Sequence, residues 1–241
     1  MSKNLEIEVK AIINKEEYHA LLKAYSSYKN YEQINYYIDD KSLSIRKKKC
    51  GLRIREKCGD FELTLKYPFE DGKMEINQLI SRKIFENCRD NHLFPAGEVS
   101  DYLTKELGID VNSLSILGSL ITFRCDIPHK TSLISIDRSL YNFREDFEIE
   151  VEDNSKEIAK KHLQEFLKKN GIEYRKSQGS KLKRFLDSLN LSWLFRKNHN
   201  IVVWTIEFLG WKLWFRLCYN RPEYDFHQPW LVVLAQMDFR G

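Results

Sequence analysis

Carboxylates and cations recur on alternate residues of this chain, and their spacing could do chemistry. In Leu5-Glu6-Ile7-Glu8-Val9-Lys10 the period is two. A strand there puts Glu6, Glu8 and Lys10 on one face and Leu5, Ile7 and Val9 on the other. Leu52-Arg53-Ile54-Arg55 repeats the alternation with arginines, and Leu63-Thr64-Leu65-Lys66 repeats it with Thr64 and Lys66 together. Thr122-Phe123-Arg124 adds another arginine, Ile134 and Ile136 oppose Ser135 and Asp137, and Phe147-Glu148-Ile149-Glu150-Val151-Glu152 sets three glutamates against three apolar residues. One such strand is usually a solvated surface strand whose cross-strand ion pairs are worth little. Many together, with acids toward both ends of the stretch and bases between, point to a shared charged interior.

Carboxylates gathered without counter-charge repel one another, and a divalent cation relieves that repulsion. Glu6, Glu8, Asp137, Glu150 and Glu152 offer hard oxygen ligands suited to Mg²⁺ or Mn²⁺, and the lack of histidine in these segments argues against zinc. Lys10, Arg53, Arg55, Lys66 and Arg124 offer fixed cations, and the arginine fork matches phosphate oxygens bidentately. A cavity so lined suits a polyanion carried with its metal, the common equipment of phosphoryl transfer.

The elements that must hold these residues can be read from the same pattern. The 241 residues are 31% charged and 42% hydrophobic, as in a soluble globular protein of one large or two small domains. A net charge of +4, with both signs interleaved, gives no reason to expect nucleic-acid binding. The five cysteines, Cys50, Cys58, Cys88, Cys125 and Cys218, match no zinc spacing. Their odd number and an N-terminus without a signal-peptide core predict reduced thiols in a cytoplasmic protein.

Strands are predicted at about 5–13, 33–39, 52–55, 61–66, 74–79, 117–127, 132–140 and 147–152, with a turn at Gly59-Asp60 in the arginine hairpin. Asn14 with Glu17, and Asn154 with Glu157, open capped helices to about Tyr25 and Lys169. The stretch from about 80 to 107 reads as helical with an interruption at Pro95-Ala96-Gly97, and a last short helix spans about 180–189. Eight strands suffice to close an antiparallel barrel. The expected fold is α+β: an eight-stranded antiparallel β-barrel, or tunnel, with a charged interior and flanking helices.

After about Asn190 the composition changes. All five tryptophans, Trp193, Trp204, Trp211, Trp214 and Trp230, lie there. Glu207, Lys212 and Arg216 interrupt the apolar run 201–218, each costing about 2.5–3.5 kcal/mol at a bilayer centre, so no membrane span is expected. Residues 190–241 read as an extension outside the functional domain 1–189, with a membrane-surface or partner-binding segment as the other reading.

The ordered set of motifs resembles the CYTH superfamily, the triphosphate tunnel metalloenzymes, over about residues 3–189. Glu6-Ile7-Glu8-Val9-Lys10 is similar to its ExExK signature, the later alternations follow in the family's order, and Ser180-Lys181 resembles the basic residue of its closing helix. The resemblance implies a tunnel that takes a triphosphate-containing substrate with a divalent metal. Glu6, Glu8 and Glu152 would hold metal, Asp137 and Glu150 would assist, and Lys10, Arg53, Arg55, Lys66, Arg124 and Lys181 would grip phosphates. Lys10, its pKa lowered by neighbouring cations, would activate water together with Tyr36 or Tyr37. Thr122 departs from members that carry lysine two residues before the arginine of that strand. The implied activity is hydrolysis of inorganic triphosphate or a related substrate. Thiamine triphosphatase, adenylate cyclase and a non-catalytic polyphosphate- or nucleotide-binding module are the alternatives.

Overall fold

The computed structural model describes residues 2–70, 72–196, 201–208 and 211–218. Its first unit, residues 1–185, is built on one antiparallel sheet. The strands are β1 (Ser2–Glu6), β2 (Glu8–Ile12), β3 (Asn30–Asp39), β4 (Gly51–Lys57), β5 (Asp60–Phe69), β6 (Gly72–Ile80), β7 (Ser115–His129), β8 (Ser132–Tyr141) and β9 (Arg144–Glu152). They run in the order β1-β6-β5-β4-β3-β7-β8-β9-β2. The two ends of that order, β1 and β2, are consecutive pieces of the first strand, broken only at Ile7. One piece pairs with β6 and the other with β9, so the first strand brings the sheet round into a nearly closed barrel. The predicted eight strands are these nine segments, with the first divided in two.

The helices are α1 (Lys15–Ala24), the single turn α2 (Ser44–Lys47), α3 (Arg82–Asn91), α4 (Glu98–Lys105), α5 (Lys156–Lys169) and α6, which starts at Lys181 and runs to Arg196. The first five cover the outside of the barrel, whereas the first turn of α6 sends Lys181 and Phe185 to the inward face. Under α1 and α5 lie Ala11, Ile136, Ile149 and Val151, packed on Tyr18, Leu21, Leu163 and Phe166. Around α3 and α4 lie Ile54, Leu63, Leu65 and Ile76, packed with Phe85, Val99 and Leu103. The apolar phase of each strand therefore faces outward into two cores. Each buried Val, Ile, Leu or Phe among them contributes about 1.5–3 kcal/mol of hydrophobic stabilisation, and this fixes the register that turns the charged phase inward.

Local signals explain most boundaries. Asn14 accepts from the Glu17 N–H at 2.8 Å and Glu17 accepts from the Asn14 N–H at 2.7 Å, a complete capping box for α1. The α5 cap is Ser155, one residue after the predicted Asn154, because Ser155 Oγ accepts from the Ile158 N–H. The β4–β5 turn uses Cys58-Gly59 rather than Gly59-Asp60: both have positive φ, as a two-residue hairpin turn of matching twist requires, and Asp60 already pairs with Lys57. Asn142-Phe143 makes the same kind of turn between β8 and β9.

The second unit, residues 186–241, contains an antiparallel hairpin of β10 (Ile201–Phe208) and β11 (Trp211–Cys218). The apolar run read as one segment is thus two strands, with Glu207 opposite Lys212. Trp230 lies outside the described residues. Cys50, Cys58, Cys88 and Cys125 are free thiols, and no described helix is long and apolar enough to cross a membrane.

Candidate active site

Strand pairing sets the charged side chains beside one another. Lys10 stands opposite Glu150, Glu8 opposite Glu152, Asp137 between Arg124 and Glu148, and Lys66 opposite Glu75. Three zones follow along the lining.

The deepest zone is centred on Asp137, Glu148 and Glu150, whose ligand oxygens lie within 4.8 Å of one another. Asp137 and Glu148 are fully buried. Arg124 grips Asp137 with two N–H groups, at 2.8 and 2.5 Å, and reaches Glu150 at 2.6 Å. Lys181, delivered by the first turn of α6, donates to Asp137 at 2.7 Å and Glu150 at 2.9 Å and touches Glu148. Lys10 donates to Glu150 at 2.8 Å and lies 3.1 Å from Glu8. Arg184, one turn along α6, stands 3.0 Å from Glu148. Burial pushes the Glu150 carboxyl up, but Lys10, Lys181 and Arg124 outweigh it and hold it well below the usual carboxylate range. Burial likewise opposes the charge on Lys10, and Glu150, Glu8 and Glu148 reverse that, raising it well above an ordinary lysine.

The second zone is an acidic mouth. Lys66 sits 2.6 Å from Glu6 and also contacts Glu75. Burial works against the Glu75 charge, yet Lys66 and Arg53 bring its pKa down to about 2. Glu152 gets less relief, because Lys66 only partly offsets its surroundings. Burial, Glu6 and Glu75 all push its carboxyl up.

The third zone is a wall of arginine. Arg53 and Arg55 make no carboxylate pair among the described residues, and Arg53 Nε is buried without a hydrogen-bond partner. Arg55 Nε donates to Asn35 at 3.1 Å. Burial, then the charges of Arg53 and Arg124, lower the Arg55 pKa to about 10. Thr122, where some members would carry lysine, is fully buried with its hydroxyl 3.4 Å from Ser139 Oγ.

The chemistry of the donor set bears on a metal. In the deep zone Asp137, Glu148 and Glu150 are matched by Lys10, Arg124, Lys181 and Arg184. At the mouth Glu6, Glu8, Glu75 and Glu152 have Lys66 as their close counter-charge, with Lys10 shared by Glu8. The residual negative charge, all of it on hard oxygens, is at the mouth and fits a divalent cation there. Of the five carboxylates expected to bind metal, Asp137 and Glu150 thus fall in the deep, cation-matched group.

Two expectations for the water-activating pair need correction. Tyr36 points out of the barrel. Its ring packs on Phe85 at 4.7 Å and its hydroxyl donates to Glu56 at 3.2 Å. Tyr37 points in, buried against Phe185 at 5.0 Å, and burial raises its pKa. Lys10 is surrounded by carboxylates rather than cations, so its pKa moves up, the opposite of what a lysine base needs. Glu75, Glu148 and Arg184 were not singled out, although each carried a signal. Glu148 shares the phase of Glu150, Glu75 alternates in β6 opposite Lys66, and Arg184 follows Lys181 by three residues on one helix face.

Residues 4–186 match the CYTH domain family. A Bacillus subtilis (strain 168) protein named "Putative triphosphatase YjbK" is 33% identical over 189 residues, which are 78% of this chain and 97% of that protein. The crystal structure of a "putative adenylate cyclase" from Bacillus halodurans has a TM-score of 0.71 at 34% identity, covering 77% of this chain and 99% of its own. A Hippeastrum protein described as a "putative adenylyl cyclase" with a dominant triphosphatase activity has a TM-score of 0.66, covering 76% and 95% of the two chains; at 24% identity that likeness concerns the fold. The match over three quarters of the chain, on a barrel whose inward residues are those of the ordered motifs, makes this protein a member of the CYTH domain family.

Proposed function

We propose that this protein is a divalent-metal-dependent triphosphate hydrolase whose preferred substrate is inorganic triphosphate. The observation that carries the reading is the pair of opposite charge excesses in one lining: Arg53 and Arg55, half-buried with no direct carboxylate ion pair among the described residues, and Glu152 raised among Glu6 and Glu75. A polyanion with its cation cancels both at once.

Proteins of the CYTH family bind triphosphate substrates. In this chain Arg53 and Arg55 would take phosphate oxygens bidentately, with Arg124, Lys66, Lys10 and Lys181 turning toward the chain from their carboxylates. Glu6, Glu8 and Glu152 would hold Mg²⁺ or Mn²⁺, which supplies charge neutralisation at the phosphate undergoing attack. Asp137, Glu148 and Glu150 keep the lysines and Arg124 aimed inward. The protein contributes positioning and electrostatic stabilisation, from which most of the rate enhancement in phosphoryl transfer comes. Neither Lys10 nor Tyr37 is poised as a base, so Lys10 acts as a phosphate-holding cation.

Phosphate release from inorganic triphosphate, ATP and thiamine triphosphate, with Mg²⁺ and with Mn²⁺, tests this. Inorganic triphosphate should be hydrolysed with the highest kcat/KM, and Glu6→Gln with Glu8→Gln should abolish metal-dependent turnover in a folded protein. Persistent activity in that double variant would show the metal assignment to be wrong. The similarity to the Bacillus halodurans structure favours adenylate cyclase as a second reading. Cyclic AMP formed from ATP would move the assignment there, and binding without turnover under either metal would leave a binding module.

A further inference from the structure

We propose a second metal site, outside the barrel, formed by His129, His162 and Glu165 and suited to Zn²⁺. His129 ends β7, and His162 and Glu165 lie three residues apart on α5, so both face the β7–β8 turn. One ring nitrogen of each histidine and a carboxylate oxygen of Glu165 lie within 4.8 Å of one another. The two rings meet edge to face at 5.1 Å.

The neighbours prepare the histidines as ligands. Ser132 Oγ donates to Asp153 at 2.6 Å, and Thr131 Oγ1 donates to the same oxygen at 2.7 Å. Those two hydrogen bonds lower the Asp153 pKa, so it accepts as a carboxylate. The one Ser132 hydroxyl proton is therefore committed. His162 Nδ1, 2.7 Å from Ser132 Oγ, must be the N–H donor, which leaves the lone pair on Nε2. A metal-binding histidine commonly donates its other ring N–H to an oxygen acceptor, and Ser132 Oγ, anchored on the Asp153 carboxylate, supplies one here. Among the described residues His129 Nε2 is buried without a hydrogen-bond partner, and it stands 3.9 Å from Glu165. Glu165 already faces a cation, Lys130, at 2.7 Å, but that lysine is 55% exposed and free to swing into water.

Two imidazoles and one carboxylate suit a first-row ion of the zinc type and leave a fourth position open. Zinc–nitrogen distances of about 2.0–2.1 Å require the donors to close further, within reach of rotation of the half-exposed His129 and Glu165. The bound ion would staple the β7–β8 turn to α5, away from the tunnel carboxylates.

The test is a calorimetric titration with Zn²⁺ alone, on the full chain carrying Glu6→Gln and Glu8→Gln so that the tunnel mouth competes less. One site per chain is expected. Adding His129→Gln or Glu165→Gln, both at half-exposed positions, should abolish it, and Ser132→Ala, which touches no metal, should weaken it by about tenfold. Zn²⁺ should also raise the unfolding midpoint of the parent and not that of the His129→Gln chain. Absence of Zn²⁺ binding in the parent, or unchanged affinity with either His129→Gln or Glu165→Gln, overturns the proposal. Triphosphate hydrolysis by the otherwise wild-type His129→Gln chain should be unchanged, so the outcome stands apart from that of the tunnel assignment.

Discussion

Lys10 is the residue at which charge and geometry most sharply limit the mechanism. Its ammonium lies 2.8 Å from Glu150 and 3.1 Å from Glu8, and these carboxylates raise its pKa well above that of a free lysine. A general base must be deprotonated near the working pH, and Lys10 is held protonated far above it. On the proposed reading its role is that of a fixed cation, and fixed cations tolerate replacement by arginine better than bases do. Lys10→Gln should lower kcat/KM by about 10²-fold, as for loss of one stabilising donor in a preorganised site. Lys10→Arg should fall by less than about tenfold, because a charged donor remains. Steady-state kinetics on both variants check this; equal, near-complete loss in the two would return the proton-transfer role to Lys10.

Strand β4 puts the two faces of the barrel side by side. Ile54 is fully buried in the outer core, while its neighbour Arg55 lies inside, where burial, Arg53 and Arg124 lower its pKa to about 10. The charge on Arg55 works against the fold, and on the proposed reading it is kept for the phosphate ligand. Ile54→Ala should cost about 2–5 kcal/mol of stability, measured by urea unfolding, and leave kcat/KM of the folded fraction intact. Arg55→Met should hold or raise the unfolding midpoint and lose triphosphate binding. A destabilised Arg55→Met chain would mean that the hydrogen bond to buried Asn35 outweighs relief of the charge repulsion. The same two faces explain what could be read from the sequence. Where polar and apolar residues alternate strictly, as from Phe147 to Glu152, inside and outside were legible before any coordinates. Tyr36-Tyr37-Ile38 has no alternation, so pattern alone could not choose between the tyrosines, and an irregularity against β7 falls between Tyr37 and Ile38. The break at Ile7 was also silent, because both pieces of the first strand keep one phase and only their partners differ.

At the scale of the whole molecule the net charge of +4 conceals an interior where acids and bases are held close together. Glu8 and Glu150 have lowered pKa values, and Glu75 is brought down to about 2. A carboxylate with a lowered folded pKa contributes stability that is present above its unfolded value and lost as pH falls through the folded one. Unfolding midpoints should therefore drop as pH goes from about 4.5 toward 2, and Glu75→Gln should flatten that acid limb; an unchanged limb would mean that the Lys66 contacts contribute nothing. Length raises a separate question. The Bacillus subtilis relative is matched almost in full by 189 residues of this chain, and the site draws its last contacts from the first turn of α6. Lys181 and Arg184 supply cations, and Phe185 packs on Tyr37. A chain ending after Leu189 keeps all three and should unfold cooperatively, with kcat/KM within about twofold of the full chain. A chain ending after Gly179 loses them, leaving Glu148 buried without its lysine and arginine, and should be destabilised by about 3–5 kcal/mol. If the longer truncate fails to fold or to turn over triphosphate while the full chain does both, residues 190–241 belong to the working domain.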